Sequence, residues 1–328
     1  MTQVTLPIHN GKDGLPSFES YSPPNCSIYV TTKQMPNTHL QHPEDTVLTG
    51  DLRALTDLYG KGHVSLKIDG APAVVWGHYQ GKFFVCTKAA FNKKKVRLCH
   101  NTQDVHTYFG HQEDVADMLF LMLKYIPRDE FPGVYQGDFM GFGRTQVFKT
   151  NTLTYIFPEV VTQKLVIAPH TYYNVDGKLS EAVAEPLLEI LTDTPHIKWV
   201  QPSVDFVHLG LNPPPIKRSK VQFMSDKESF VAQQQINALV KSGQEIDDRD
   251  LHWILGDIYL TNLYQMVTEI KEDLMETMIV TDSPRCFLPD GTEVVGEGFV
   301  FHSERGRSYK LVDRPVFSYT NFTQGKFN

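Results

Sequence analysis

The chain is poor in cysteine and tryptophan, has no long apolar run, and carries no excess of positive charge. Its four cysteines in 328 residues, Cys26, Cys86, Cys99 and Cys286, are widely spaced, with no CxxC pair and no Cys/His spacing suited to zinc. They read as buried free thiols, which excludes a disulfide scaffold or a zinc clamp. No apolar run approaches the ~18 residues of a membrane span, and the opening MTQVTLPIHNGKDG lacks a basic stretch leading into an apolar one. The expectation is therefore no membrane contact and a reducing, cytoplasmic compartment. A formal charge of −7 excludes coating of nucleic acid by bulk electrostatics, because counterion release needs many clustered cations. GxSxG, HExxH and Walker strings are absent, and the thirteen histidines show no ligand spacing; His42 beside Glu44 and Asp45 reads as a turn.

With 41% apolar side chains, including 20 Phe and 14 Tyr, the chain has ample bulk for a core. Residues 1–40, rich in Pro, Asn, Ser and Thr, read as an extended arm. A short helix is expected over Asp51 to Tyr59. The runs VSLKIDG, PAVVWGHY and KFFVCTK then alternate as strands, the last two joined by a turn at GHYQGK. Val115, Met118, Leu119, Met122, Leu123 and Ile126 recur at helical spacing and predict a helix over Glu113 to Tyr125 that Pro127 ends. Strands are expected at Gly133 to Phe139, around Thr154 to Phe157 and at Leu165 to Ala168, and helical periodicity at Glu181 to Leu191. Ser225 with Glu228 fits a capping box opening a helix through Val240, and one longer helix is expected from Asp248 or Asp250 through Leu274. The segment EVVGEGFVFHSERGRSYKLVDR reads as two more strands. Local basic groups stand at Lys88, Lys93, Lys94, Lys95 and Arg97, at Lys217, Arg218 and Lys220, and at Arg305, Arg307 and Lys310. Such runs suit either a solvated face or a polyanion contact.

The sharpest local feature is Lys67, Ile68, Asp69 and Gly70, set between two strands. A lysine at a strand end can attack an α-phosphate once its amine, of ordinary pKa ~10.4, loses its proton; neighbouring cations or a bound metal favour that loss. Alone, the string better suits a β-turn with a solvated lysine. Four more strings follow in order: VCTKAAF with Lys88, VYQGDFMG with Asp138, VVGEGFVF with Glu297 and RSYKLVDR with Lys310.

Together the five resemble the motif series of the covalent nucleotidyltransferases, the superfamily of ATP-dependent DNA and RNA ligases and mRNA capping enzymes. With HPED at 42–45, the chain also looks like a ligase-like family encoded by tailed bacteriophages, which would place it in the host cytoplasm. The resemblance implies an α+β nucleotidyltransferase (ligase adenylation) fold, with antiparallel sheets flanking a nucleotide cleft over residues 41–212 and 280–328 and a helical insertion at 213–279. Eighteen residues follow Lys310, too few for an OB domain.

The resemblance further implies that Lys67 becomes lysyl-AMP, with Lys310 and Lys88 assisting catalysis. Asp138, where the family usually has Glu, would bind the ribose; Glu297 would hold Mg²⁺ or Mn²⁺; and Tyr155 or Phe157 would stack adenine. Leu66, Lys67, Ile68, Asp69, Gly70, Lys88, Asp138, Tyr155, Glu297 and Lys310 make up the implied ATP site. Taken singly, Asp138 also suits a turn cap, Glu297 a hairpin-edge charge, and both aromatics a core. Two departures stand out. No Arg follows KIDG closely, and the usual final KxK is reduced to one Lys, for which Arg305 or Arg307 could compensate. The expected activity is ATP-dependent polynucleotide ligation, RNA ends ranked ahead of nicked DNA. Transfer to another acceptor (a protein or an RNA 5′ end), or a degenerate fold serving as a binding module, are the alternatives. A protein partner on the helical insertion is a further expectation.

Overall fold

The computed structural model describes residues 40–210, 215–243 and 246–318. The expected 1–40 arm, apart from its last residue, and Cys26 lie outside the described residues. Two short helices, α1 (Pro43–Thr46) and α2 (Arg53–Leu58), lead into strand β1 (Gly62–Leu66). The hairpin β2 (Ala73–Tyr79) and β3 (Lys82–Thr87) turns at Gln80 and Gly81. Helices α3 (Thr102–Phe109) and α4 (Glu113–Tyr125) follow. Helix α4 has the predicted bounds because its apolar positions recur on one face: Met118, Leu119 and Met122 are fully buried against the sheet, each worth about 1.5–3 kcal/mol.

The chain continues through β4 (Val134–Phe142), β5 (Thr145–Lys149), β6 (Thr154–Val161), β7 (Leu165–Asn174), β8 (Val183–Pro186), β9 (Ile197–Trp199) and β10 (Ser203–Asp205). Helices α5 (Asp226–Ser242), α6 (Asp248–Leu255) and α7 (Ile258–Glu276) come next. Strands β11 (Ile279–Thr281), β12 (Arg285–Phe287), β13 (Glu293–Val294), β14 (Phe299–Ser303) and β15 (Ser308–Leu311) complete the order.

The architecture is mixed α+β with mainly antiparallel sheets. The largest sheet runs β3-β2-β4-β7-β8, with β9 added parallel to β7; a second runs β13-β12-β6-β5 and a third β1-β14-β15. Two apolar cores result. One lies between the largest sheet and α3–α4; the other gathers α2, α5–α7 and the two smaller sheets. Cys86, Cys99 and Cys286 are buried free thiols as expected, and burial pushes each up to about 12. Among the described residues no helix is long and apolar enough to cross a membrane.

Two expectations are corrected, and one helix was not expected. Glu181 to Leu191 is not helical: only a 3₁₀ turn spans Leu179–Glu181, and Val183–Pro186 pairs with β7. Pro186 accounts for this, since a proline inside a helix removes a hydrogen bond and clashes with the preceding turn, at about 3 kcal/mol. The helix expected from Asp248 to Leu274 is two helices. Gly256 takes φ +69, which ends α6, and the Asp257 carboxylate accepts from Leu260 N at 2.7 Å to start α7. Helix α3, which the sequence pattern passed over, buries only Val105 and Phe109, too few positions to show a period.

The helical stretch leaves and returns at one place. Antiparallel pairing of β10 with β11 sets Ser203 opposite Thr281 and Asp205 opposite Ile279. Helix α7 packs directly on α1 and α2. The stretch leaves Phe230 exposed at 61% and Trp253 at 88%.

Candidate active-site cleft

In β1, Val64 and Leu66 point into the core, so His63, Ser65 and then Lys67 share the other face. Cross-strand register extends that face. His63 lies opposite His302 and Ser65 opposite Val300, while Val300 lies opposite Lys310 and His302 opposite Ser308. One side of this sheet therefore presents Lys67, Lys310, Ser65, Ser308 and two histidines.

Backbone hydrogen bonds clamp the first and fourth motifs together: Lys67 N donates to Gly298 O at 2.8 Å, and Glu297 N to Lys67 O at 3.2 Å. The Lys67 ammonium donates to the Glu297 carboxylate across a separation of 230 residues. Lys310 stands close enough to feel both charges. Burial first, then the Arg314 guanidinium, lower its ammonium below the ordinary lysine value, with Asp45 opposing and Lys67 adding to the effect.

Asp138 reaches the same place from the largest sheet. A Cβ on Gly70 would stand 2.9 Å from Asp138 Cβ, so only glycine lets KIDG pass this strand so closely. Ala71 N donates to Phe139 O at 3.0 Å, and Phe139 N to Pro72 O at 3.1 Å, which fixes the approach. Asp138 is partly exposed, and its Oδ2 lies 3.6 Å from His170 Nε2. Lys88 is placed only by backbone register. Thr87 pairs with Val74, and the next residue along β2, Ala73, pairs with Asp138, so Lys88 emerges on the row of Asp138. Its side chain is exposed.

Other expected site residues have different roles. Leu66 and Ile68 are buried in the core and contribute backbone alone. Asp69 does not face Lys67: its Oδ2 accepts from Thr150 Oγ1 at 3.0 Å, Thr152 N at 2.6 Å and Leu153 N at 3.3 Å, holding the turn before β6. Tyr155 cannot stack adenine, because its ring is fully buried and its hydroxyl accepts from Asp69 N at 2.8 Å. Burial raises that phenol well above its ordinary value. Phe157 is also buried, edge-on to Phe148. Arg305 and Arg307 do not supplement Lys310, since both are committed to Asp57, a fully buried carboxylate that also accepts from Tyr309.

HPED proves more than a turn. His42, Glu44 and Asp45 are all buried at the edge of the site, where Lys310 N donates to Gln41 O at 3.1 Å. Lys271 of α7 donates to Glu44 Oε1 at 3.1 Å. Arg314 grips Asp45 with two bonds of 2.8 Å and donates to Tyr264 Oη at 2.7 Å. Burial, then the cations Arg314, Lys310, Lys271 and Lys67, hold His42 neutral. His302, bonded to Ser308 Oγ at 2.8 Å, is lowered to about 3 by burial, with His63 and His170 adding to it. No sequence pattern marked His302 or His170; topology alone brings them here.

Among the described residues no three His, Cys, Asp or Glu side chains gather as a metal cage. Glu297 stands there as a single carboxylate, paired with Lys67.

A family model described as a family of unknown function (DUF6267) matches residues 37–208 and 217–326. No curated protein matches the chain, and no solved structure does.

Proposed function

The chain belongs to DUF6267, and starting from that membership and the geometry of the cleft we propose that it is a covalent nucleotidyltransferase acting as an ATP-dependent polynucleotide ligase. The observation that carries the reading is that Lys67, Glu297 and Lys310, from three distant strings, meet at one small sheet while Asp138 of the largest sheet abuts Gly70 of the lysine motif.

The deprotonated Lys67 amine attacks the α-phosphorus of ATP. A P–N bond forms, the P–O bond to pyrophosphate breaks, and pyrophosphate leaves. An oxygen of the acceptor's 5′-phosphate then attacks the same phosphorus, the P–N bond breaks, and Lys67 regains a proton. Finally a 3′-hydroxyl attacks the activated 5′-phosphorus, gives up its proton and expels AMP. Lys310 opposes the negative charge that grows on the α-phosphate. Asp138 accepts from the ribose, and Glu297 would hold the divalent ion, whose charge offsets that of the triphosphate.

The distribution of charge favours a polynucleotide acceptor over a protein. Residues 70–103 contain six Lys or Arg and no Asp or Glu, whereas 38 acids in 328 residues would place about four in such a stretch. Asn92 Oδ1 accepts from Lys94 N and Lys95 N at 2.9 and 3.1 Å, a turn that presents Lys93, Lys94 and Lys95 to solvent beside Lys88. A protein partner would meet the helical excursion instead, where Phe230 and Trp253 are exposed.

Intact mass after incubation with each nucleoside triphosphate plus Mg²⁺ or Mn²⁺ tests the covalent step and the base. Wild type gains one AMP, Lys67→Ala gains nothing, and Glu297→Gln stays folded but unlabelled. A wild type that never gains mass, or a Lys67→Ala protein that does, sinks the proposal and leaves the binding-module reading. A chase with RNA ends and nicked duplexes identifies the acceptor; label that moves only to protein or an RNA 5′ end selects the alternative transferase.

A further inference from the structure

We propose that His170 reads the nucleotide's ribose together with Asp138, an inference that rests on the nucleotidyltransferase reading above. His170 reaches the cleft through an irregularity in the sheet. Along β4 and β7, Gln136 lies opposite Thr171 and Gly137 opposite Pro169, so His170 is the extra residue of a β-bulge and has no partner across the ladder. A bulge re-aims its side chain, here toward the neighbouring strand and Asp138. A second irregularity follows between Phe139 and Gly141, so Asp138 sits in a short regular stretch between two distortions.

The contacts of the imidazole set what it offers. Its Nδ1 meets Thr171 Oγ1 at 2.6 Å, while its Nε2 faces Asp138 Oδ2 at 3.6 Å. An ionised carboxylate only accepts, so it selects the form with hydrogen on Nε2, and the Thr171 hydroxyl donates to Nδ1. The pair thus holds an acceptor and a donor side by side, just too far apart for a strong bond to each other. A sugar hydroxyl oxygen about 2.8 Å from both completes the set, giving its proton to Asp138 and accepting from Nε2. Both side chains are partly exposed, at 35% for His170 and 23% for Asp138, so a ligand can reach them. The Gly70 contact with Asp138 puts this hydroxyl-reading pair against the lysine motif. It supplies two polar groups where the resembled family usually has a single longer carboxylate.

The test compares ATP with 2′-deoxy-ATP and 3′-deoxy-ATP as mass-adding substrates for wild type, His170→Ala and His170→Asn. Wild type should discriminate against at least one deoxy analogue by about 10-fold, the worth of one charge-assisted hydrogen bond. His170→Ala should lose about that factor with ATP and almost nothing with the disfavoured analogue, and Asn, which keeps a donor, should recover part of it. An unchanged ratio in His170→Ala, or an equal loss with all three nucleotides, overturns the inference. So does a His170→Ala protein that labels normally and fails only at strand sealing, since the pair would then face the acceptor. Calorimetric binding of the same three nucleotides to Lys67→Ala separates the two claims. Ribose discrimination that depends on His170, without covalent labelling of wild type, keeps this inference and sinks the transfer chemistry; labelling without discrimination does the reverse; and no nucleotide binding at all sinks both.

Discussion

Replacing Lys271 by Met removes a buried cation and strands the carboxylate it serves. Lys271 is 2% exposed and Glu44 1%. Without the ammonium, Glu44 Oε1 keeps only looser approaches, 3.6 Å to Arg314 and 3.7 Å to a neutral His42, and Glu44 Oε2 has no hydrogen-bond partner to begin with. Breaking one side of a buried ion pair costs about 3–5 kcal/mol, most of it from the charge left behind. For a chain of this size that lowers the melting temperature by roughly 4–7 °C. Glu44→Gln combined with Lys271→Met removes both charges, and since apolar or neutral replacements of buried pairs are often nearly neutral, about half or more of the loss should return. Thermal and urea unfolding of wild type, both single variants and the double variant measure the coupling directly. A Lys271→Met protein within about 1 kcal/mol of wild type, or a double variant as unstable as the two single losses added, refutes the reasoning.

Two further outcomes follow from the same structure. Asp69→Ala removes the acceptor of two backbone N–H groups, Thr152 N and Leu153 N, and leaves the Thr150 hydroxyl only Leu153 O; it should cost about 2–4 kcal/mol in urea unfolding, and Asp69→Asn, which keeps an acceptor oxygen, about half as much. An alanine variant as stable as wild type would show that the turn is held by other means. His302 has a folded value of about 3 against an ordinary 6.5, so as pH falls the unfolded chain binds the proton first. Stability is whole above pH 6.5 and declines toward pH 3, by roughly 1.4 kcal/mol per unit. His302→Asn should flatten that slope by one proton, leaving the share due to His42; an unchanged slope counts against burial as the cause.

Regular elements were legible where one period persisted. Helix α4 spans Glu113–Tyr125 as its apolar spacing predicts, and the Ser225–Glu228 capping box opens α5. The break at Gly256 escaped notice because the apolar stripe continues across it, even though Gly-Asp is itself a stop followed by a cap. The motif lysines and carboxylates were legible as strings, and the structure brings Lys67, Glu297, Lys310 and Asp138 together. What each neighbour does was not legible. Asp69 and Tyr155 spend their polar atoms on each other's surroundings, and Arg305 and Arg307 are consumed by Asp57, because those partners lie 81 to 250 residues away. His170 depends on a register slip between two strands, which one-strand periodicity does not encode.

The return of α7 onto α1 bears on how this sequence can drift. Arg314 and Asp45 are 269 positions apart, yet with Glu44, Tyr264 and Lys271 they form a single electrostatic knot. A lineage that trimmed the helical excursion would orphan Glu44 unless it exchanged that residue in the same stroke. These positions should therefore be inherited as a block, and aligned relatives ought to show them changing in concert or not at all.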